Sequence, residues 1–246
     1  MRLQTSIALG LLAVVTVSPA QATLVTLHGT DVDFLLDDQQ AGLALYCGGC
    51  LLDVNGRPVP TVAGDSLIFA PTTFRAESTN GAPSPVSAHA TLSIQVQSHS
   101  PSATDLGAAT AREFGDYFIS PPGSVSAVAQ LGATNLQASD PLASFQQDIE
   151  QTGTLTTAGA NAWSLTTSVN FQQAWTKPTD LVQIDLQNDL LATTTANPSN
   201  PSDAWIEKKF AGMRVDVAVV PLPATLPLLL STLGGVGALA RRRART

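Results

Sequence analysis

Apolar and polar residues alternate with a period of two along much of this 246-residue chain. The alternation is clearest at residues 92–96, 163–171, 182–186 and 215–219. In a β-strand it places apolar side chains on one face and polar side chains on the other, as an antiparallel sheet with one solvated face requires. Helical periodicity is hard to find, so the body of the chain is predicted to consist of strands.

Shorter strand candidates occur at residues 24–27, 32–36, 66–69, 117–119 and 124–129. Clusters of turn-forming residues occur at residues 55–58, 80–85, 121–123 and 197–202. We find no internal repeat and no linker long enough to divide two domains. About ten strands with turns between them predict an all-β body, an antiparallel β-sandwich with jelly-roll-like topology.

The N-terminus has the three parts of a secretory signal peptide. Arg2 supplies the positive charge, residues 7–17 form an apolar segment, and Ala20 and Ala22 are small residues of the kind that signal peptidase reads. This arrangement predicts a signal helix over residues 1–22, cleaved before Thr23. The apolar segment is too short for a transmembrane helix, so the body is expected to be exported.

The C-terminus also has three parts. Residues 217–240 carry no charge and, if helical, are long enough to cross about 30 Å of hydrocarbon. Pro227 marks the expected start of the helix, because proline is tolerated in a first turn but not in a helix interior. The arginines that follow favour the cytoplasmic side and place the body outside. A plain membrane anchor is one alternative. The preceding proline-containing motif and the basic cluster are Val220, Pro221, Leu222, Pro223, Ala224 and Arg241, Arg242, Arg243.

This tail resembles the PEP-CTERM sorting signals of Gram-negative bacteria, in the variant with Val-Pro-Leu-Pro-Ala. The resemblance implies an exosortase-type partner, transient insertion in the inner membrane and removal of the tail at or near the motif. Leu222 stands where the commoner motif has Glu, which leaves open which sorting enzyme reads it. The resulting domains are a signal peptide (1–22), a β-sandwich (23–219) and a sorting signal (220–246).

The charges are distributed unevenly between the body and the ends. All 19 acidic residues lie within residues 23–219, whereas five of the 12 basic residues lie in the two end segments. The seven remaining basic residues give the body a net charge of −12, against −7 for the whole chain. A basic stripe is absent, so nucleic acid is not an expected partner.

Residues 66–74 and 113–117, with an alternating strand between them, are similar to secreted β-sandwich proteins that carry such tails. This second resemblance implies the fold and little about function.

Gly64, Asp65, Ser66 and Leu67 match the nucleophile motif of the GDSL hydrolases, in which a downstream His activates the Ser. The last histidine of this chain is His99, so the C-terminal base of that family is missing. The alternative is a turn at Gly64 and Asp65 that leads into a strand.

Cys47 and Cys50 are the only cysteines. Outside the inner membrane they are expected to form a disulfide that closes a very small loop and stiffens a turn. Redox catalysis and a zinc half-site lack the surrounding sequence that each needs.

The other candidate ligands and catalytic groups are acidic or aromatic. An acidic cluster after the first strand could bind Ca²⁺ or form a solvated strand edge, although its spacing differs from an EF-hand loop. Trp163 is expected in the core, while Trp175 and Trp205 are the candidates for stacking on sugars. Glu113, Asp116 and Glu150 are candidates for the carboxylates of a glycosidase. The acidic cluster comprises Asp31, Asp33, Asp37 and Asp38.

The sequence predicts an exported, non-enzymatic surface or extracellular-matrix protein with no cofactor and no metal site. The tail resemblance implies an association with exopolysaccharide or biofilm. A carbohydrate- or calcium-binding adhesion module and a secreted hydrolase are the alternatives.

Overall fold

The computed structural model describes residues 24–81, 85–99, 104–137, 145–171, 175, 179–196 and 198–219. Over these residues the chain consists almost entirely of antiparallel strands, so the all-β prediction is confirmed. The strands are β1 (Leu24–His28), β2 (Val32–Asp37), β3 (Leu51–Leu52), β4 (Pro58–Val59), β5 (Thr61–Ala63), β6 (Ser66–Phe69), β7 (Arg75–Thr79), β8 (Val86–Ser98), β9 (Thr104–Ser120), β10 (Gly123–Asn135), β11 (Phe145–Gln151), β12 (Gly159–Asn170), β13 (Leu181–Thr194) and β14 (Asp203–Val219).

The strands form two large sheets and one small hairpin. Sheet I has the order β1-β2-β8-β13-β10-β11, and sheet II has the order β12-β9-β14-β6-β5. Strand β7 pairs with the first part of β14, next to the part that pairs with β6. From β8 to β10 and again from β12 to β14, successive strands alternate between the two sheets. Strands β3 and β4 form the hairpin.

The inner faces of the two sheets share one hydrophobic core. Phe34, Leu92 and Ile184 of sheet I and Ile206 and Met213 of sheet II are each fully buried. Each such side chain contributes about 1.5–3 kcal/mol relative to an exposed one. The buried positions recur at every second residue, so the period-two pattern predicts which face is the core. The resulting arrangement is that of a sandwich, while the finer jelly-roll assignment stays a prediction.

A short helix, α1 (Ala41–Tyr46), was not predicted from the sequence. It packs against β8, where the Gln40 side chain forms two hydrogen bonds with the backbone of Ser93, at 2.6 and 2.7 Å. Leu43 and Tyr46 are buried in the core. Six residues are too few to give a clear helical period, because stability at this length comes from tertiary packing.

Strand β14 contains a register shift between Lys208 and Phe210 opposite β9. The Glu207 carbonyl oxygen at this shift accepts a hydrogen bond of 3.1 Å from Trp163 Nε1, which reaches it across β9. Gly115 of β9 lies between them, and a Cβ there would be 1.9 Å from the Glu207 oxygen. The shift therefore depends on a glycine in one strand and a tryptophan in another.

Several predictions fall outside the described residues. They concern the signal-cleavage residues Ala20, Ala22 and Thr23, and the sorting residues 220–224 and 241–243. Within the described ranges, no helix combines the length and the apolar character needed to cross a bilayer.

Candidate functional site

The outer face of sheet II carries four aromatic side chains, which we call the aromatic stripe: Phe114 and Phe118 of β9, and Trp205 and Phe210 of β14. Strand pairing places Phe118 directly opposite Trp205 and Phe114 directly opposite Phe210. Phe114 and Phe118 are four residues apart, so both point to the same side of β9, about 13 Å from each other.

The four rings form two stacked pairs. The ring centroids of Phe114 and Phe210 are 4.7 Å apart with an interplanar angle of 10°, and those of Phe118 and Trp205 are 6.2 Å apart at 20°. Phe114 is 43% exposed, and the other three rings are partly exposed. The face therefore presents two aromatic surfaces to solvent.

A network of charged side chains lies between and beside the ring pairs. Lys209 Nζ binds Asp116 at 2.8 Å and Glu207 at 3.1 Å. Arg75 binds Glu207 at 3.3 Å, and its guanidinium carbon lies 4.4 Å from the centroid of the Trp205 ring. The hydrogen bonds that Lys209 donates, first to Asp116 and then to Glu207, raise the pKa of Lys209 above its ordinary value. These groups add hydrogen-bond donors and acceptors to the aromatic face.

The neighbouring Lys208 points the opposite way, into the core. Its Nζ lies 2.9 Å from Glu113 Oε2, and both side chains are almost completely buried. The rings of Tyr46 and Phe74 lie 4.9 and 4.8 Å from the same nitrogen. Burial lowers the pKa of Lys208, and the Glu113 carboxylate opposes that shift. Glu113 is therefore committed to an internal ion pair.

The three tryptophans have different environments. Trp163 is 5% exposed, in agreement with its predicted core position. Trp175 is only 8% exposed and stacks on Phe171, so it is not available for sugar stacking. Trp205, the other candidate for stacking on sugars, lies on the outer face of sheet II. The three phenylalanines of the aromatic stripe were missed, although their signal was present as aromatic residues at outward positions of alternating strands.

The hydrolase motif occupies a β-hairpin. Gly64 and Asp65 connect β5 to β6, and Gly64 has a positive φ of 59°. The predicted turn followed by a strand is confirmed. An open groove of about 420 Å³ borders Ser66, but no histidine is among the residues that line it. Among the described hydrogen bonds none joins a histidine to Ser66, so the serine–histidine pair of the motif is not seen here.

The three glycosidase candidates do not converge. Glu113 and Asp116 are three residues apart in β9 and point to opposite faces of sheet II, because side chains alternate along a strand. Glu150 belongs to β11 in sheet I. A pair of carboxylates acting on one bond needs a shared cleft, and these side chains do not share one.

The acidic cluster is divided among separate partners. Asp38 forms an ion pair with Arg57, and Asp37 accepts a hydrogen bond from the Gln39 backbone. Asp33 binds two imidazoles, His28 and His99. Partial burial alone would raise the pKa of Asp33, but the hydrogen bonds from the two imidazoles outweigh burial and lower this pKa. The hydrogen bond to Asp33 in turn raises the pKa of His99. These carboxylates do not form one oxygen-lined calcium site.

Cys47 and Cys50 are joined in a disulfide with an S–S distance of 2.04 Å. It lies directly after α1 and before β3, with Cys47 buried in the core. The bond closes a turn between these elements, and no free thiol occurs among the described residues.

A scan against protein-family models finds no matching family, and a search of curated proteins finds no matching relative. Solved structures to which the chain has weak similarity include the carbohydrate-binding module TmCBM61 in complex with β-1,4-galactotriose (9% identity, 61% of this chain and 88% of that one, TM-score 0.22). A carbohydrate-binding module of the β-sandwich superfamily (8%, 80% and 98%, TM-score 0.23) and a lipoprotein from Bacteroides thetaiotaomicron (12%, 65% and 93%, TM-score 0.23) are similar to the same degree. Likenesses at these TM-scores carry no argument about function.

Proposed function

We propose that this protein is an exported, non-enzymatic surface protein that binds polysaccharide on the outer face of sheet II. The aromatic stripe is the observation that carries the proposal. Sugar rings have apolar C–H faces that pack on aromatic rings, and their hydroxyl groups need donors and acceptors at the edges of such contacts.

The arrangement of the face supports an extended ligand. The two ring pairs are separated along β9 by about 13 Å, so a linear glycan of several units would contact both. Lys209, Asp116 and Glu207 lie between the pairs and can exchange hydrogen bonds with sugar hydroxyls. The surface is open, which fits binding within a long chain and provides no enclosed site for bond cleavage.

Cross-strand aromatic pairs also stabilise sheets without any ligand. The experiment therefore has to separate binding from stability. A glycan array with the purified protein would first identify a ligand, and affinity electrophoresis would then compare variants on that polysaccharide. Phe114→Ala and Trp205→Ala are each expected to weaken binding about tenfold, the loss of one stacking contact.

Phe145→Ala is the matched control. Phe145 is 40% exposed, close to the 43% of Phe114, but it lies on β11 of sheet I. Its truncation should leave glycan binding unchanged. Equal binding by the Phe114→Ala, Trp205→Ala and wild-type proteins, or binding of no glycan at all, would contradict the proposal.

We also propose that the protein is exported through its N-terminal signal and sorted by an exosortase-type enzyme through residues 220–246. This proposal rests on the sequence resemblance of the tail. Deletion of residues 220–246 is expected to change the distribution of the protein between envelope fractions. An unchanged distribution would contradict the sorting proposal.

Mass spectrometry of the mature protein provides an independent measurement. The mature chain is expected to begin at Thr23 and to lack Arg241, Arg242 and Arg243. A mature chain that retains these arginines would instead indicate a plain membrane anchor.

A further inference from the structure

Strand register brings two histidines and one aspartate together at one end of sheet I. His28, the last residue of β1, pairs directly with Asp33 of β2. Asp33 pairs with Gln97 of β8, and His99, two residues further along and just past the end of β8, lies on the same face and reaches Asp33 diagonally with its side chain. His28 and Asp33 are five residues apart in a hairpin, whereas His99 is 66 residues beyond Asp33 and is brought to it by the pairing of β2 with β8.

Both imidazoles approach the same carboxylate oxygen. His28 Nδ1 lies 2.7 Å from Asp33 Oδ1, and His99 Nε2 lies 2.8 Å from it. The three ligand atoms are all within 4.8 Å of one another. Within the described part of the chain, these three side chains form a group that is compact enough to share a metal ion.

The second nitrogen of His99 also faces an oxygen, since Nδ1 lies 3.1 Å from the carbonyl oxygen of Thr30. A protonated His99 can donate to both oxygens, whereas a neutral imidazole has only one N–H group and leaves its other nitrogen as an acceptor. If Nδ1 donates to Thr30, the lone pair of Nε2 points toward Asp33. A metal ion between Nε2 and the carboxylate would bind both the nitrogen lone pair and a carboxylate oxygen. A metal-binding histidine commonly donates its other ring N–H to a carbonyl oxygen, as Nδ1 would here.

We propose that His28, Asp33 and His99 bind a divalent transition-metal ion of the Zn²⁺ class. Two imidazole nitrogens and one carboxylate oxygen suit Zn²⁺, Ni²⁺ or Cu²⁺, whereas Ca²⁺ and Mg²⁺ prefer all-oxygen sites. Zinc bonds of about 2.0–2.1 Å require the ligand atoms to be about 3.3 Å apart. His28 is 74% exposed and has room to make this adjustment.

The surroundings favour a cation. None of the six strands of sheet I contains a lysine or arginine. The adjoining loops add Asp31 and Asp65, which are connected by a hydrogen bond of 2.8 Å from the Asp31 backbone to the Asp65 carboxylate. Three protein ligands leave a fourth coordination position open for water or for a ligand from another molecule.

Metal titration of the purified protein, without a polyhistidine tag and after treatment with a chelator, tests this site. Isothermal titration calorimetry is expected to give one Zn²⁺ per chain, with no comparable Ca²⁺ binding. His28→Asn and His99→Asn should each weaken Zn²⁺ binding at least tenfold. Co²⁺ provides a direct readout, because nitrogen ligation changes its visible absorption spectrum and the two variants should lose that change.

His89→Asn is the matched control, because His89 Nδ1 binds Asp189 at 2.6 Å on the same sheet but has no second imidazole beside it. This variant should bind Zn²⁺ like the wild type. Thermal unfolding without metal identifies a variant that is simply misfolded. The proposal is overturned if folded His28→Asn and His99→Asn bind Zn²⁺ as the wild type does, if the wild type shows no saturable binding, or if Ca²⁺ binds more tightly than Zn²⁺.

Discussion

The two sheets differ in where they hold their charged and aromatic groups. Sheet I has an apolar inner face and an outer face rich in glutamine, aspartate and histidine side chains, with the exposed Phe145 on its edge strand β11 and no lysine or arginine in its strands. Sheet II has an ion pair inside the core and aromatic rings with mixed charges outside. Its basic residues are Arg75, Arg112, Lys208, Lys209 and Arg214.

One β-sandwich can therefore carry two different kinds of surface. Side chains alternate across each strand, so the outer residues can vary without disturbing the shared core. The acidic, imidazole-containing edge of sheet I suits a metal ion, and the aromatic face of sheet II suits a polysaccharide. Among the described strands, those of sheet II contain the ion pair in which both side chains are buried, Lys208 with Glu113.

The buried ion pair is the place where this contrast should have the largest effect. Glu113→Ala leaves the Lys208 ammonium without a partner in the core, which typically costs about 3–5 kcal/mol. Asp116→Ala removes a partner of the exposed Lys209, whose ion pairs are screened by solvent, and should cost much less. Urea unfolding would measure both. Similar losses of stability in the two variants would show that the burial of Lys208 does not make its ion pair more important for stability.

Two glycines give a second test of the sheets. A Cβ at Gly115 of sheet II would lie 1.9 Å from the Glu207 backbone oxygen, so Gly115→Ala must displace β14 and should cost on the order of 2–4 kcal/mol. At Gly132 of sheet I the closest atom is on the Phe145 ring, 3.1 Å away.

The exposed Phe145 ring beside Gly132 can move, so Gly132→Ala should lower the free energy of unfolding by no more than about 1 kcal/mol. Thermal unfolding of the two variants compares them directly. A larger loss at Gly132 than at Gly115 would contradict the role assigned to the register shift.

The stack of Phe114 on Phe210 should contribute a smaller, measurable coupling. A double-mutant cycle of Phe114→Ala and Phe210→Ala is expected to give about 0.5–1.5 kcal/mol. The same cycle for Phe114 and Phe145, which lie on different sheets, should give a coupling near zero. Chemical unfolding measures both cycles. A coupling near zero for the first would mean that the rings do not stabilise one another.

The smallest expected effect is the pH dependence of the pair formed by Asp33 and His99. The lowered pKa of Asp33 gives stability that is present above its ordinary value of 3.8 and lost as pH falls through the lowered one. The raised pKa of His99 gives stability that is present below its ordinary value of 6.5 and lost as pH rises through the raised one.

Both contributions are therefore present together between about pH 4 and 6.5. With a chelator present, His99→Gln should lower stability most in that window, by at most about 1 kcal/mol because the pair is partly exposed to solvent. Thermal unfolding from pH 4 to 9 would measure the difference. A difference that grows at alkaline pH would contradict this sign.

Much of the fold was predictable from local patterns. Alternation located β8, β12, β13 and the end of β14, and β2 and β6 were among the shorter strand candidates, because a period of two is a property of the strand itself. The sequence did not predict β3, β4, β5, β7, β11 or the helix α1, since most of these elements have too few residues to show a clear period.

The candidate sites were much less predictable. Trp205 was singled out from its sequence, but its partner Phe118 is identified only by the pairing of β9 with β14. Trp175 looked equally suitable and is buried against Phe171. The grouping of His28 with His99 had no local signal, because it depends on two strand pairings through β2.

Local patterns in the sequence were enough to predict that this chain forms strands and which face of most of them is apolar, and they show that its ends resemble export and sorting signals. These are properties of neighbouring residues and depend on no distant contact. The tertiary structure alone decided which strands are adjacent and in which register. Register places Phe114 on Phe210 and His99 beside Asp33, because the packing of the whole core selects one pairing among many that local alternation allows.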